Sequence, residues 1–237
     1  MTVPTLRTPA AAFALLLALA AAAPAQAQNP EAPFDDSAPG VWLVLATDAR
    51  LGGPWGVAAE VQHRNHTFTG DLEQFVVRSS ARYALPDRAA VALGYAFVRS
   101  EAEGEPDRPF DEHRVFQEAV LQQRVASVAF AHRFRYEQRF VEGLPFQTRY
   151  RYALTGTLPF GPAEPRPGGV FGVASAEAFL RGEGRAGRAV FDRARLYGGL
   201  GVHVTPAFNV QAGYVEQLFD GTADGQVQVA LRTSFAL

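Results

Sequence analysis

Between Val128 and Phe140, alternate residues divide into two sets: Val128, Phe130, Phe134, Tyr136 and Phe140 on one parity, Arg133, Arg135, Glu137 and Arg139 on the other. A strand sends successive side chains to opposite faces, so this segment has one aromatic face and one charged face. The following segment repeats the pattern, with Tyr150, Tyr152, Leu154 and Leu158 set against Arg149, Arg151, Thr155 and Thr157. Sustained alternation of this kind is the signature of a transmembrane β-barrel strand. A soluble lipocalin-like barrel alternates in the same way with its faces exchanged, so other features must decide which face points inward.

Strand candidates follow one another at 41–49, 55–66, 72–85, 89–100, 112–125, 128–141, 146–159, 169–181, 191–204, 207–218 and 226–237. Most are about twice the length of a usual globular strand and long enough to cross a bilayer at a tilt. None shows a 3.6-residue period with helix caps.

The connections alternate in length. Leu85–Arg88, Ala126–Ser127 and Thr205–Pro206 are tight, whereas Ser100–Glu112, Glu142–Gln147, Arg181–Val190 and Glu216–Gly225 are longer and rich in Gly and charge. Outer-membrane barrels carry short turns on the periplasmic side and longer loops outside, which orients the chain. Phe160–Gly169 is the exception, a long connection on the short-turn side. Eleven candidates conflict with the even strand number of bacterial single-chain barrels, so the expectation is ten or twelve antiparallel strands. With ten, Val41–Arg50 is surplus and packs within or beside the barrel; with twelve, one strand is yet to be found.

Both chain ends fit this class. Arg7 precedes an apolar run from Ala10 to Ala23, followed by Pro24-Ala25-Gln26-Ala27. This reads as a secretory signal cleaved after Ala27, since the run falls short of the roughly 20 residues that span a bilayer. At the other end, Val227, Val229, Leu231, Thr233, Phe235 and Leu237 alternate with Gln226, Gln228, Ala230, Arg232, Ser234 and Ala236. An amphipathic terminal strand of this form resembles the signal read by the outer-membrane assembly machinery. The predicted organisation is a signal peptide at 1–27, a disordered leader at 28–40 and an all-β, transmembrane, antiparallel up-and-down barrel at 41–237.

Composition narrows the rest. Hydrophobic residues make up 48% of the chain, yet no long apolar run follows the signal, which excludes a helical membrane protein. A net charge of -2 gives no case for nucleic acid. The chain has no Cys, hence no disulfide framework and no lipoprotein anchor. No cofactor is called for, and no Gly-rich phosphate loop or G-x-S-x-G elbow is present.

With the aromatics facing lipid, the inward set is Glu60, Gln62, Arg64, Gln74, Arg78, Arg82, Arg133, Arg135, Glu137, Arg139, Arg149, Arg151, Glu177, Arg193, Arg195, Gln211 and Arg232. Buried charges must be paired or hydrated, so a lumenal network of Arg with carboxylates and water is expected. In the strand at 112–125 the parity is open: Glu112, Arg114, Phe116 and Glu118 face inward, or His113, Val115, Gln117 and Ala119 do. Barrels of ten to twelve strands lie near the small end of the scale, where side chains fill the interior. Structural filling is therefore the first expectation and an anion or small-solute path the second.

Two rival functions remain. His63 and His66 lie near Asp71 and Glu73 across a presumed hairpin, which would suit a membrane-embedded hydrolase acting on lipid or lipopolysaccharide at the barrel rim. A soluble periplasmic barrel would instead hold an apolar ligand among inward aromatics.

Several segments also resemble a known family. Glu112-His-Arg-Val-Phe-Gln117, Arg133-x-Arg-x-Glu-x-Arg139, Arg149-Tyr-Arg151, Arg195-Leu-Tyr-Gly-Gly-Leu-Gly201 and Gly213-Tyr214 are similar to the barrel family called domain of unknown function 2490. The resemblance runs from Trp42 to the last strand. It implies a signal peptide and a β-barrel of the outer membrane, and it brings no activity, substrate or catalytic residue; outer-membrane lipid and, through the terminal strand, the assembly machinery are the expected partners in a Gram-negative bacterium.

Overall fold

The computed structural model describes residues 39–68, 70–102, 108–182, 190–219 and 221–236. The predicted signal peptide and nearly all of the predicted leader lie outside them. Every regular element among the described residues is a strand, and the expected positions recur within a few residues: β1 (Gly40–Arg50), β2 (Trp55–Asn65), β3 (Leu72–Leu85), β4 (Ala89–Ser100), β5 (Phe110–Val125), β6 (Val128–Val141), β7 (Gln147–Pro159), β8 (Val170–Arg181), β9 (Phe191–Thr205), β10 (Phe208–Leu218) and β11 (Ala223–Ala236).

Sequential strands pair antiparallel from β1 to β11, and the sheet closes on itself. Closure corrects the sequence reading. β1 pairs β11 in parallel, from Gly40 opposite Gln226 to Arg50 opposite Ala236, so the barrel has eleven strands and mixed pairing. Val41–Arg50 is neither surplus nor packed inside: it is the closing stave. Edge satisfaction is met through β1, whose two sides pair β2 and β11, so no strand of the sheet is left with an unpaired row of backbone groups. The register also matches faces, with Leu43 beside Val229 and Leu45 beside Leu231 on the outside.

An odd strand count puts the start of β1 and the end of β11 at opposite mouths. Gly40 lies at the end bearing the connections 66–71, 101–109, 142–146, 182–190 and 219–222. Ala236 lies at the end bearing 51–54, 86–88, 126–127, 160–169 and 206–207. The hairpin at 86–88 is tight because Asp87 and Arg88 both adopt positive φ, 58° and 60°, and the Ala89 amide donates to the Pro86 carbonyl at 3.3 Å. A two-residue turn with this hand matches the twist of the strands that it joins.

The outer face is apolar. Leu43, Leu45, Leu93, Tyr95, Phe134, Tyr150, Leu200 and Tyr214 are each about half exposed on it. Near the short-turn end, Val128, Phe130 and Ala174 pack with Leu154 and Leu158, with Gly156 between Phe130 and Ala174 in register. The inner face carries the charges together with five buried rings, those of Trp42, Phe116, Phe171, Phe179 and Tyr197. Two of these rings fit because a strand opposite offers glycine: a Cβ at Gly94 would meet the Phe116 ring, and one at Gly201 the Phe171 ring.

Candidate functional site: the lumen

The inner parity of β5 to β9 brings the Arg-x-Arg-x-Glu-x-Arg strand against its neighbours. Glu137 is 1% exposed, the most enclosed carboxylate among the described residues. It sits opposite Arg149 and diagonal to Arg151. Arg149 donates to Glu137 Oε2 through Nε and Nη2 at 2.8 and 2.6 Å, while Arg151 Nη1 donates to Oε1 at 2.7 Å. Arg135 is a third, looser neighbour at 3.8 Å.

The chain of charges continues on both sides. Glu177 on β8 accepts from Arg151 and Arg133, and Arg195 stands 3.9 Å away. Glu118 on β5 accepts from Arg135. Glu112 accepts from Arg114 and from Arg139, each through Nε and Nη2. Nearer the loop end, Asp192 pairs with Arg181 at 2.8 Å and with Arg149 at 3.6 Å. Each central carboxylate thus serves two or more guanidinium groups, which is how a lumen with more arginine than acid keeps its charges in contact.

The structure therefore links Arg133, Arg135, Glu137, Arg149, Arg151, Glu177 and Arg195 through shared ion pairs, and sets Arg139 on Glu112 in a separate pair beside them. Arg232 has the inward parity but stands apart near the short-turn end, opposite Asn209 on β10 and Ala46 on β1. No carboxylate among the described residues reaches it within ion-pair distance. A second cluster lies across the barrel, where Glu60 accepts from Arg78 and Gln62, and Arg64 donates to Gln62 and Gln74.

The open parity of β5 resolves in favour of Glu112, Arg114, Phe116 and Glu118 inside. Sequence reasoning left Phe116 as one of two open parities and did not place the rings of Trp42, Phe171, Phe179 and Tyr197 inside. Arg135 lies over Phe116 at 4.2 Å, Arg151 over Phe179 at 4.5 Å, and both Arg64 and Arg195 over Trp42 at 3.9 and 4.6 Å. Cation–π contact stabilises a guanidinium group by about 0.5–2 kcal/mol where water is sparse. The signal was available for Phe116 and Phe179, which share parity with Glu118 and Glu177. It was weaker for Trp42, whose strand the sequence reading left as either surplus to ten strands or one of twelve.

The histidines scatter. His63 is exposed on the outer face, opposite Leu43 and Phe75. His66 meets the Glu101 carbonyl at 3.3 Å at the loop rim. His113 pairs with the Tyr95 hydroxyl, and His132 lies between the Tyr152 hydroxyl and the Gln123 amide, all on the outside. His203 stacks on Phe171, with centroids 4.9 Å apart. Among the described residues, no three His, Asp or Glu side chains are grouped to hold a metal ion.

Comparison with known proteins places this geometry in a family. The chain is 31% identical over 172 residues to an uncharacterized protein of Methylorubrum extorquens, covering 70% of this chain and 73% of that protein. No solved structure matches. A family model described as a protein of unknown function, DUF2490, matches residues 39–228, which takes in β1 to β10 and the start of β11, and the chain belongs to that family.

Proposed function

We propose that this chain is a small non-enzymatic β-barrel of the bacterial outer membrane, exported by a signal at 1–27. Its lumen is a cross-braced polar plug that passes at most small anions. One observation carries the reading: the barrel wall is apolar outside and ionic inside. Leu93 is 59% exposed, Leu45 53% and Tyr150 52%, while Glu137 and Arg149 are 1% and 4% exposed. Soluble monomers rarely expose contiguous apolar patches beyond a few hundred Å². A lipid bilayer is the solvent that suits this outer face, and a closed barrel leaves no backbone edge to be satisfied there.

The same observation disfavours a periplasmic carrier of apolar ligands, since most of the large rings lie outside and three of the five inside, Trp42, Phe116 and Phe179, lie under arginine. The hydrolase reading loses its motivation, because His63 points outward and His66 lies at the rim against a backbone carbonyl. An odd strand number is no obstacle in principle, since a barrel of nineteen strands is known in the mitochondrial outer membrane.

The test is fractionation of cells with unheated and boiled samples compared on a detergent gel. A band in the outer-membrane fraction that shifts on boiling supports the reading, and conductance in a planar bilayer then separates a plug from a path. Recovery in the soluble periplasm without a heat shift overturns it.

A further inference from the structure

We propose that Arg64, Arg195 and Trp42 form a binding station for a small oxyanion in the loop half of the lumen, a site that deepens and rests on the outer-membrane barrel reading.

Among the described residues four arginines are buried: Arg64, Arg135, Arg149 and Arg151. The last three each have a carboxylate within 2.7 Å. For Arg64, no carboxylate among the described residues comes within ion-pair distance. Its guanidinium is held by neutral amide oxygens, Gln62 through Nε and Nη2 and Gln74 through Nη1. Arg195 is held in a similar way, donating Nη2 to Gln217 at 2.8 Å, with Glu177 only at 3.9 Å and its Nε buried without a partner.

These two incompletely neutralised cations lie over the same Trp42 ring. Glutamine orients a guanidinium group without cancelling its charge, and two like charges on one ring destabilise each other unless an anion or water intervenes. The nearby acid, Glu73, already accepts from Trp42 Nε1 at 3.1 Å and from Gln226 at 2.8 Å through the same Oε2. A planar fork of donors fits two oxygens of one anion, so phosphate, sulfate or a carboxylate suits the place better than chloride.

The test uses the full-length protein carrying Trp55→Phe, which leaves Trp42 as the one indole, extracted in detergent. Inorganic phosphate is titrated against chloride at constant ionic strength while Trp42 emission is followed. A saturable change with phosphate is expected. Arg195→Gln and Arg64→Gln should each weaken it about tenfold or more. Arg82→Gln, at the other end of the lumen where its partner is Asp48, should leave it unchanged. An equal response to chloride, no saturation, or a signal that survives both substitutions overturns the station. The heat shift of the same sample reports on the barrel separately. A retained shift without a phosphate signal removes the station and leaves the barrel reading standing, whereas loss of the shift overturns both.

Discussion

Glu137 and Arg151 stand diagonally across neighbouring strands, and Arg151 Nη1 donates to Glu137 Oε1 at 2.7 Å while the other carboxylate oxygen is taken by Arg149. One buried carboxylate thus braces two buried guanidinium groups on β7 from β6. Such a pair adds little stability relative to an apolar core of the same shape, but losing one member leaves an uncompensated charge.

Glu137→Gln is therefore expected to destabilise the barrel by about 3 kcal/mol, the low end for breaking a buried pair, because Arg151 keeps Glu177 and Arg149 keeps Asp192. Urea unfolding followed by the heat-shift band measures this. The exposed rim variant Glu142→Gln should change little, and equal effects of the two would show that the network contributes nothing.

On the outside, Tyr136 faces away from the lumen beside Tyr150, with ring centroids 5.1 Å apart. If that face meets lipid, Tyr136→Arg should cost about 2–4 kcal/mol. The same substitution on a water-facing surface would be nearly neutral, so unfolding measured in lipid vesicles distinguishes the two settings.

Inside the wall, a Cβ at Gly94 would run into the Phe116 ring and the Ser79 carbonyl. Gly94→Ala should cost about 1–3 kcal/mol through overpacking. Adding Phe116→Leu should return part of that loss, and strict additivity in the double-mutant cycle would show that the two positions are not in contact.

The parallel seam makes a topological prediction. The chain has no native Cys, and Pro39, Gly52 and Leu144 are exposed. With single cysteines at these positions, a bulky membrane-impermeant maleimide added to intact cells should label 39 and 144, and should reach 52 only after the outer membrane is permeabilised. Labelling of 144 without 39 would mean that β1 does not start at the loop mouth and that the parallel closure is wrong.

Much of this was legible in the chain. A strand's period of two is a local property, so the alternation of Arg133, Arg135, Glu137 and Arg139 with Phe134, Tyr136 and Phe140 marks the strand and separates its faces without reference to any other segment. Parity failed only where polar and aromatic residues share a face. Phe116 beside Glu118 and Phe179 beside Glu177 turn inward because arginines from other strands cover their rings.

Closure is different in kind. Thr47 and Thr233 hydrogen-bond at 2.9 Å although 186 positions separate them. No local period says which strand meets β11, or in which direction, because both directions bury the same faces. By itself the sequence determined the strands, their faces and an arginine-rich interior. Only the tertiary structure decided that β1 closes the barrel in parallel, that Trp42 therefore enters the lumen, and which arginine each carboxylate holds, since these follow from satisfying the last two backbone edges and from the register that closure imposes.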